Sequence, residues 1–521
     1  MTMAPEAPET ASAPPAEPSP SIPAVIRRRL LPFDDRLDPW SWFATGLIAA
    51  IAAILRFVNI GTPKGKIFDE TYYATDGHWL WEKGFEWDEN NNTAGYVVHP
   101  PLGKWLIGLG EQDWAFGYNE TGWRVMAAVF GVASIVMAIR ITRRLFGSTI
   151  LGCIAGLLMT FDGMHFVLSR SALLDMFLMT FVLAAFGCLV LDRDQRRKRW
   201  MRFLEAGGDP KLKGRGSRPS FAVPWWRLAA AVMIGCAIGV KWSALAFLLI
   251  MVVLVYWWEW GARRSAGVRR PVLDTFLDET GWLIACLVLL LGVYLLTWSG
   301  WFLTDGGYNR HWLLDTTGNE PAFWGALANL WHYHAMAYDF HSTLTSTHTY
   351  QSWPWQWPIL GRPVAFYYNG DGPCGSAQCA SEVILLGTPL LWWSFLPAMA
   401  ATAWFGIARR DWRALTILLM IAIAWLPWFW YMADQRTMFY FYALPMEPFM
   451  IMAVVYVLGC IMTPPPGSPP DDNRRMVGAI VAGTFVLLVA LNFAYFHPIY
   501  TGQPIPYADW ARRMWLGSRW I

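Results

Sequence analysis

About eleven long apolar runs dominate this chain, and they leave a polytopic, all-α membrane protein as the only fold class open to it. They lie near 41–58, 122–141, 149–168, 172–192, 226–241, 243–259, 280–299, 383–407, 412–431, 437–462 and 477–497. Roughly 20 apolar residues cross the ~30 Å hydrocarbon core, where a backbone must bond its own N–H and C=O groups, as a helix does. The third and fifth runs are short or carry Gly, so ten or twelve spans stay open. Only 15% of the residues are charged, against about a quarter in a soluble domain. The 34 Trp suit membrane–water interfaces, where the ring is buried and its N–H stays wet. A soluble enzyme and a single-pass anchor are both excluded.

Residues 1–26 are rich in Pro, Ala and Glu without an apolar run, and a disordered cytoplasmic tail is expected over 1–40. A secretory signal peptide does not fit, because the first apolar run lies beyond Arg27-Arg28-Arg29 and more runs follow. With the N-terminus inside, the inward segments hold ~26 Lys and Arg and the outward ones ~12, the asymmetry that sets orientation. The inward set includes Arg143-Arg144, the cluster from Arg193 to Arg218, the Arg263–Arg270 loop, Arg409-Arg410 and Arg474-Arg475. The expected order is a transmembrane module over 41–299 with an external loop at 59–121, and a second external loop at 300–382. A four-helix module with an external tail follows over 383–521. The chain is expected to be a multi-pass protein of the cell membrane, with its C-terminus and both loops extracytoplasmic.

No Gly-rich phosphate loop, H-E-x-x-H or seryl nucleophile elbow occurs. Asp192-Arg193-Asp194 has D-x-D spacing, but at the inner end of a span beside basic residues it reads as interfacial charge. Cys153, Cys188, Cys236, Cys286 and Cys460 fall inside apolar runs, where Cys acts as a small hydrophobe. Cys374 and Cys379 lie in a Gly-rich polar loop, where a disulfide fits an oxidising compartment and free thiols are the alternative.

Chemistry is expected on the external loops. The first is acidic and opens with Phe68-Asp69-Glu70-Thr71-Tyr72-Tyr73. Adjacent carboxylates raise each other's pKa, and a carboxylate there suits accepting a proton from an incoming hydroxyl. In an extended stretch Asp69 and Glu70 point to opposite sides, so one alone faces a given substrate. His99-Pro100-Pro101-Leu102-Gly103-Lys104 follows, with an amphipathic surface helix expected over Leu102–Gly110. His99 and Lys104 are placed to face a phosphate at head-group level; for Lys104, snorkelling is the alternative. Arg56, Arg124, Arg170, Asp175 and Lys241 sit at the external ends of spans, where ionisable groups default to a functional or paired role. The second loop carries His341, Thr347-His348-Thr349-Tyr350-Gln351-Ser352-Trp353 and Trp355-Gln356-Trp357-Pro358, a texture suited to a sugar or to an interfacial aromatic belt. Arg436 lies in a short external turn.

Taken in order, these segments resemble the protein O-mannosyltransferases in their bacterial, actinobacterial-type form. The matching residues are Phe68-Asp69-Glu70, His99 to Lys104, Ser169-Arg170 with Leu174-Asp175, Lys241-Trp242, Thr347-His348 to Trp357-Pro358, and Arg436 to Pro445. The resemblance implies a C-type glycosyltransferase fold and a polyprenyl-phosphate-mannose donor. It also implies transfer, with inversion, to Ser or Thr of a protein crossing the membrane, delivered by the secretion channel. Carried over by residue, Asp69 is the general base with Glu70 beside it, and Arg124, Lys104 and Arg436 hold the lipid phosphate. His348 lies near the donor sugar, although the family's His-Pro-Tyr reads His348-Thr349-Tyr350 here. No cofactor and no nucleic-acid partner is expected; an ion held by Asp69, Glu70 and Asp175 is the metal alternative weighed. The competing readings are another lipid-dependent sugar transferase of the same fold, acting on lipid A or an arabinan, and a transporter.

Overall fold

The computed structural model describes residues 23–30, 38–96, 98–212, 218–220, 222–322, 324–463, 469 and 471–521. The expected disordered tail falls largely at 1–22 and 31–37, outside the described residues, as does part of the basic cluster ending at Arg218. Short α1 (Ala24–Leu30) precedes the first span, α2 (Pro39–Phe57). Pro39 at the first position and the Asp38 side chain, accepting from Ser41 N–H, start α2.

The first external loop folds as α3 (Glu70–Lys83), a two-stranded ribbon of β1 (Trp87–Asp88) and β2 (Thr93–Ala94), and α4 (Leu102–Gly110). Asp69 and Glu70 are therefore not extended: Asp69 precedes the first turn of α3, and Glu70 opens it. Helix α4 has the expected bounds but is wedged between α3 and the next span rather than lying free. A Cβ on Gly108 would stand 2.3 Å from the Gly77 carbonyl, so the α3–α4 contact requires glycine there.

Next come α5 (Glu120–Phe146), α6 (Thr149–Thr160), α7 (Gly163–Leu168), α8 (Asp175–Glu205), α9 (Trp225–Ile238), α10 (Ala244–Ala266) and α11 (Pro271–Thr297). The second external loop contains α12 (Ser299–Leu303), α13 (Trp312–Thr317), α14 (Trp324–Thr343) and an antiparallel pair, β3 (Val364–Asn369) and β4 (Cys379–Leu385). Cys374 and Cys379 are joined by a disulfide in the turn between those strands. The C-terminal module is α15 (Pro389–Arg409), α16 (Trp412–Trp425), α17 (Pro427–Ala433), α18 (Glu447–Met462) and α19 (Asp472–Thr501). Strand β5 (Ile505–Pro506) then pairs with β4, and α20 (Tyr507–Ala511) follows.

Among the described residues nine helical stretches are long and apolar enough to cross a membrane, and α6 and α9 are shorter apolar helices. Each of these overlaps one of the expected apolar runs, although nine rather than eleven have spanning length, and three runs depart from the expectation. The third run breaks at Phe161-Asp162, because Asp162 turns back to cap α7 through His165 N–H and also accepts from Thr388 N–H and Trp392 Nε1. The ninth run breaks at Pro427, which lacks an N–H. The fourth continues as α8 to Glu205, 13 residues past its expected end at 192, since its charges are buried rather than interfacial. Asp192 accepts from Arg227, and Arg196 pairs with Glu259 and Glu279. The middle of the bundle is α8 and the stretch ending in α18, whereas α11 and α19 are mostly exposed along their spans.

Candidate active site

Asp69 sits where α2 has ended and α3 begins, and the residue before it, Phe68, is held at φ 48°. That left-handed backbone is strained for a bulky side chain and persists only where packing enforces it. Here it does: Phe68 stacks on Phe366 at 4.6 Å and meets Phe441 at 5.9 Å and the His348 ring at 6.5 Å. Asp69 caps nothing with its side chain, and among the described residues the carboxylate has no hydrogen-bond donor. Burial raises its pKa to about 6; Lys241 beside it lowers it and Asp175 raises it.

Lys241 donates to Asp175 Oδ2 at 2.8 Å, which joins the break between α9 and α10 to the start of α8. Its ammonium also lies 5.6 Å from the Phe441 ring and 5.7 Å from the Tyr442 ring. His99 and His341 face each other at 5.1 Å. Arg436 Nε donates to the His341 carbonyl at 2.9 Å, and one of its NH2 groups reaches His341 Nδ1 at 3.3 Å. Burial, then Lys241, His341, Lys104 and Arg436, push the His99 pKa well below its usual value. The result is a cluster in which the unbonded Asp69 carboxylate lies near Lys241 and Asp175, with His99 and Arg436 set against His341.

The other predicted site residues are placed differently. Both oxygens of Glu70 are taken: Arg124 Nε and NH2 at 2.8 Å, Trp123 Nε1 at 3.2 Å, and the N–H groups of Ile67 and Ala172 at 3.0 Å. Arg124 in turn donates to the carbonyls of Ile60, Pro63 and Gly65. Both side chains are fully buried, and their mutual bonds brace the loop from within, in place of the exposed phosphate-facing and catalytic settings expected for Arg124 and Glu70. Lys104 is likewise enclosed, paired with Glu86 and 3.7 Å from Asp76. Arg170 donates to the carbonyls of Leu55, Arg56, Val58 and Asn59, satisfying the groups that α2 leaves open at its end. Arg56 is fully buried, donating to His165 Nδ1 at 2.8 Å. Asp69, Asp175, Lys241, His99, Arg436 and the ring of His348 are thus brought together, while Glu70, Arg124, Lys104, Arg170 and Arg56 hold the walls. Among the described residues no three His, Cys, Asp or Glu side chains converge as a metal set.

One residue of the pocket was passed over as a site residue. Tyr73 lies one turn after Asp69, and the spacing of four on a helix is the signal that would have found it.

Two family models match the chain. The one described as dolichyl-phosphate-mannose-protein mannosyltransferase matches residues 46–208, and that for the C-terminal four TMM region of protein-O-mannosyltransferase matches 326–520. The polyprenol-phosphate-mannose–protein mannosyltransferase of Mycobacterium tuberculosis is 38% identical over 99% of this chain and 98% of its own length. The protein of the same name from Mycolicibacterium smegmatis is 40% identical, over 97% of each chain. In fold, the chain is similar to the S. cerevisiae protein O-mannosyltransferase Pmt1-Pmt2 complex bound to the sugar donor. That match has a TM-score of 0.69 at 15% identity, covering 96% of this chain and 94% of the other. The chain is a multi-pass membrane protein with the C-type glycosyltransferase fold, and it belongs to the protein O-mannosyltransferase family.

Proposed function

We propose that this protein transfers mannose from a polyprenyl-phosphate-mannose donor to Ser or Thr hydroxyls of acceptor polypeptides, with Asp69 as general base. The observation that carries this is the unbonded Asp69 carboxylate, raised to about 6 and acted on by Lys241, with His99 and Arg436 both set against His341 nearby. The acceptor oxygen attacks the anomeric carbon from the side opposite the phosphate, giving inversion. Its proton passes to Asp69, and the electron pair of the broken bond stays on the phosphate oxygen. That leaving group is a weak base, so cations suffice to stabilise it; Lys241, oriented by Asp175, and Arg436 fill that role, with His99 beside them. His348, against Phe68 and 5.0 Å from Phe439, is assigned to the sugar side.

We assign the site to the extracytoplasmic face, with acceptors arriving from the secretion channel. Helices α5 and α8 open beside it and run to Arg143-Arg144 and to the Arg193–Arg202 cluster, which supports a cytoplasmic opposite face. Incubating the reconstituted protein with labelled polyprenyl-phosphate-mannose and a Ser/Thr/Pro-rich peptide tests the reading. Labelled α-mannosyl peptide is expected. Transfer only to lipid A or arabinan acceptors would replace it with a sibling transferase of the same fold.

A further inference from the structure

Tyr73 follows Asp69 by four residues on α3, so the two side chains share a face, and the Tyr73 N–H closes that turn on the Asp69 carbonyl at 3.1 Å. Its neighbour Tyr72 points outward and is 67% exposed. Tyr73 is half-buried and packed against the core. Its ring stands 6.3 Å from His99, and Asp69, Asp175 and Tyr442 lie around it. The hydroxyl has no hydrogen-bond partner among the described residues, although a tyrosine at this depth normally finds one. It therefore stands beside the carboxylate that takes the proton and next to His99, with a donor to offer.

We propose that the Tyr73 hydroxyl donates a hydrogen bond to the phosphate oxygen that leaves the mannose. Burial and the nearby Asp69, Asp175, Tyr442 and Asp76 raise its pKa well above that of an ordinary phenol, so it keeps its proton at neutral pH and acts as a donor. As the anomeric carbon–oxygen bond breaks, negative charge grows on that oxygen and the hydrogen bond strengthens. The acceptor's proton still goes to Asp69; Tyr73 shares its own without losing it. A contact that strengthens only as charge develops acts on kcat rather than on donor KM. A tyrosine that merely packs would be replaced by phenylalanine without cost, because the ring is retained.

This inference rests on the mannosyl transfer proposed above, and the test separates the two. Initial rates of the wild type and Tyr73→Phe are measured in nanodiscs against donor concentration and pH. On the scale of a lost donor to a developing oxyanion, kcat is expected to fall ~100- to 1,000-fold. Donor KM should stay within ~3-fold and the acid limb set by Asp69 should not move. Unchanged kcat, a loss confined to KM, or a shifted acid limb would overturn the contact with the leaving oxygen. Should Tyr73→Phe fail to insert, 3-fluorotyrosine installed at position 73 keeps the ring and sharpens the donor. Its kcat should hold or rise, and a fall would overturn the proposal. A wild type that transfers no mannose would remove the function itself, and this role with it.

Discussion

Replacing Glu70 by Gln should destabilise the protein far more than a loop substitution normally does. Glu70 accepts five hydrogen bonds, two of them from Arg124, and both side chains are fully buried. The amide of Gln turns N–H groups toward existing donors and leaves the guanidinium without its counter-charge. Removing one partner of a buried pair costs about 3–5 kcal/mol, or two to four decades in the folding equilibrium at about 1.4 kcal/mol per decade. The companion Arg124→Met removes the cation, so the double variant should recover part of the loss, with a coupling of about 1–3 kcal/mol. Denaturation of the micelle-embedded protein, followed by tryptophan fluorescence over the four-variant cycle, measures both. A Glu70→Gln protein as stable as the wild type yet unable to transfer mannose would refute the reasoning and return Glu70 to the chemistry.

The remaining predictions concern the pocket and its approach. Transfer should rise with pH through about 6 as Asp69 ionises, read as the acid limb of the initial-rate profile. Because this carboxyl is raised above its ordinary 3.8, its ionisation opposes folding. Asp69→Asn should therefore stabilise the protein above pH 6, with the gain fading by about pH 4, in the same denaturation assay. Lys241→Met leaves Asp175 unpaired and removes a cation facing the phosphate, so kcat/KM for donor should fall ~100-fold or more, measured by steady-state kinetics. Arg362 donates to the carbonyls of Thr349, Ser518 and Arg519, tying the His348 turn to the C-terminal segment. Arg362→Ala should lower transfer ~3- to 30-fold through lost positioning and increase proteolysis near 347–353.

The apolar runs were legible because hydropathy is local: a helix in hydrocarbon must satisfy its own backbone and cover itself with apolar side chains. What escaped depended on partners distant in the chain. Asp192 read as interfacial until Arg227 of α9, Glu259 of α10 and Glu279 of α11 close around it and Arg196 and let α8 run on. Asp69 and Glu70 stood out together in the sequence, but the difference in their surroundings was not legible. Which carboxylate is left without donors depends on Arg124, 54 residues from Glu70. The same holds for the cations. Arg170 was found at a span end, yet only the fold reveals that its donors go to carbonyls near Arg56, 114 residues back. Sequence locates a charge; packing decides whether any of its hydrogen-bonding capacity remains for a ligand.

The most direct test compares the wild type and Asp69→Asn, purified in nanodiscs, for mannose transfer from polyprenyl-phosphate-mannose to a Ser/Thr peptide, with donor affinity measured in parallel. The account predicts donor binding within a few-fold of the wild type and transfer reduced by at least ~100-fold, the scale of a general base. Transfer retained by Asp69→Asn, with binding intact, would contradict it.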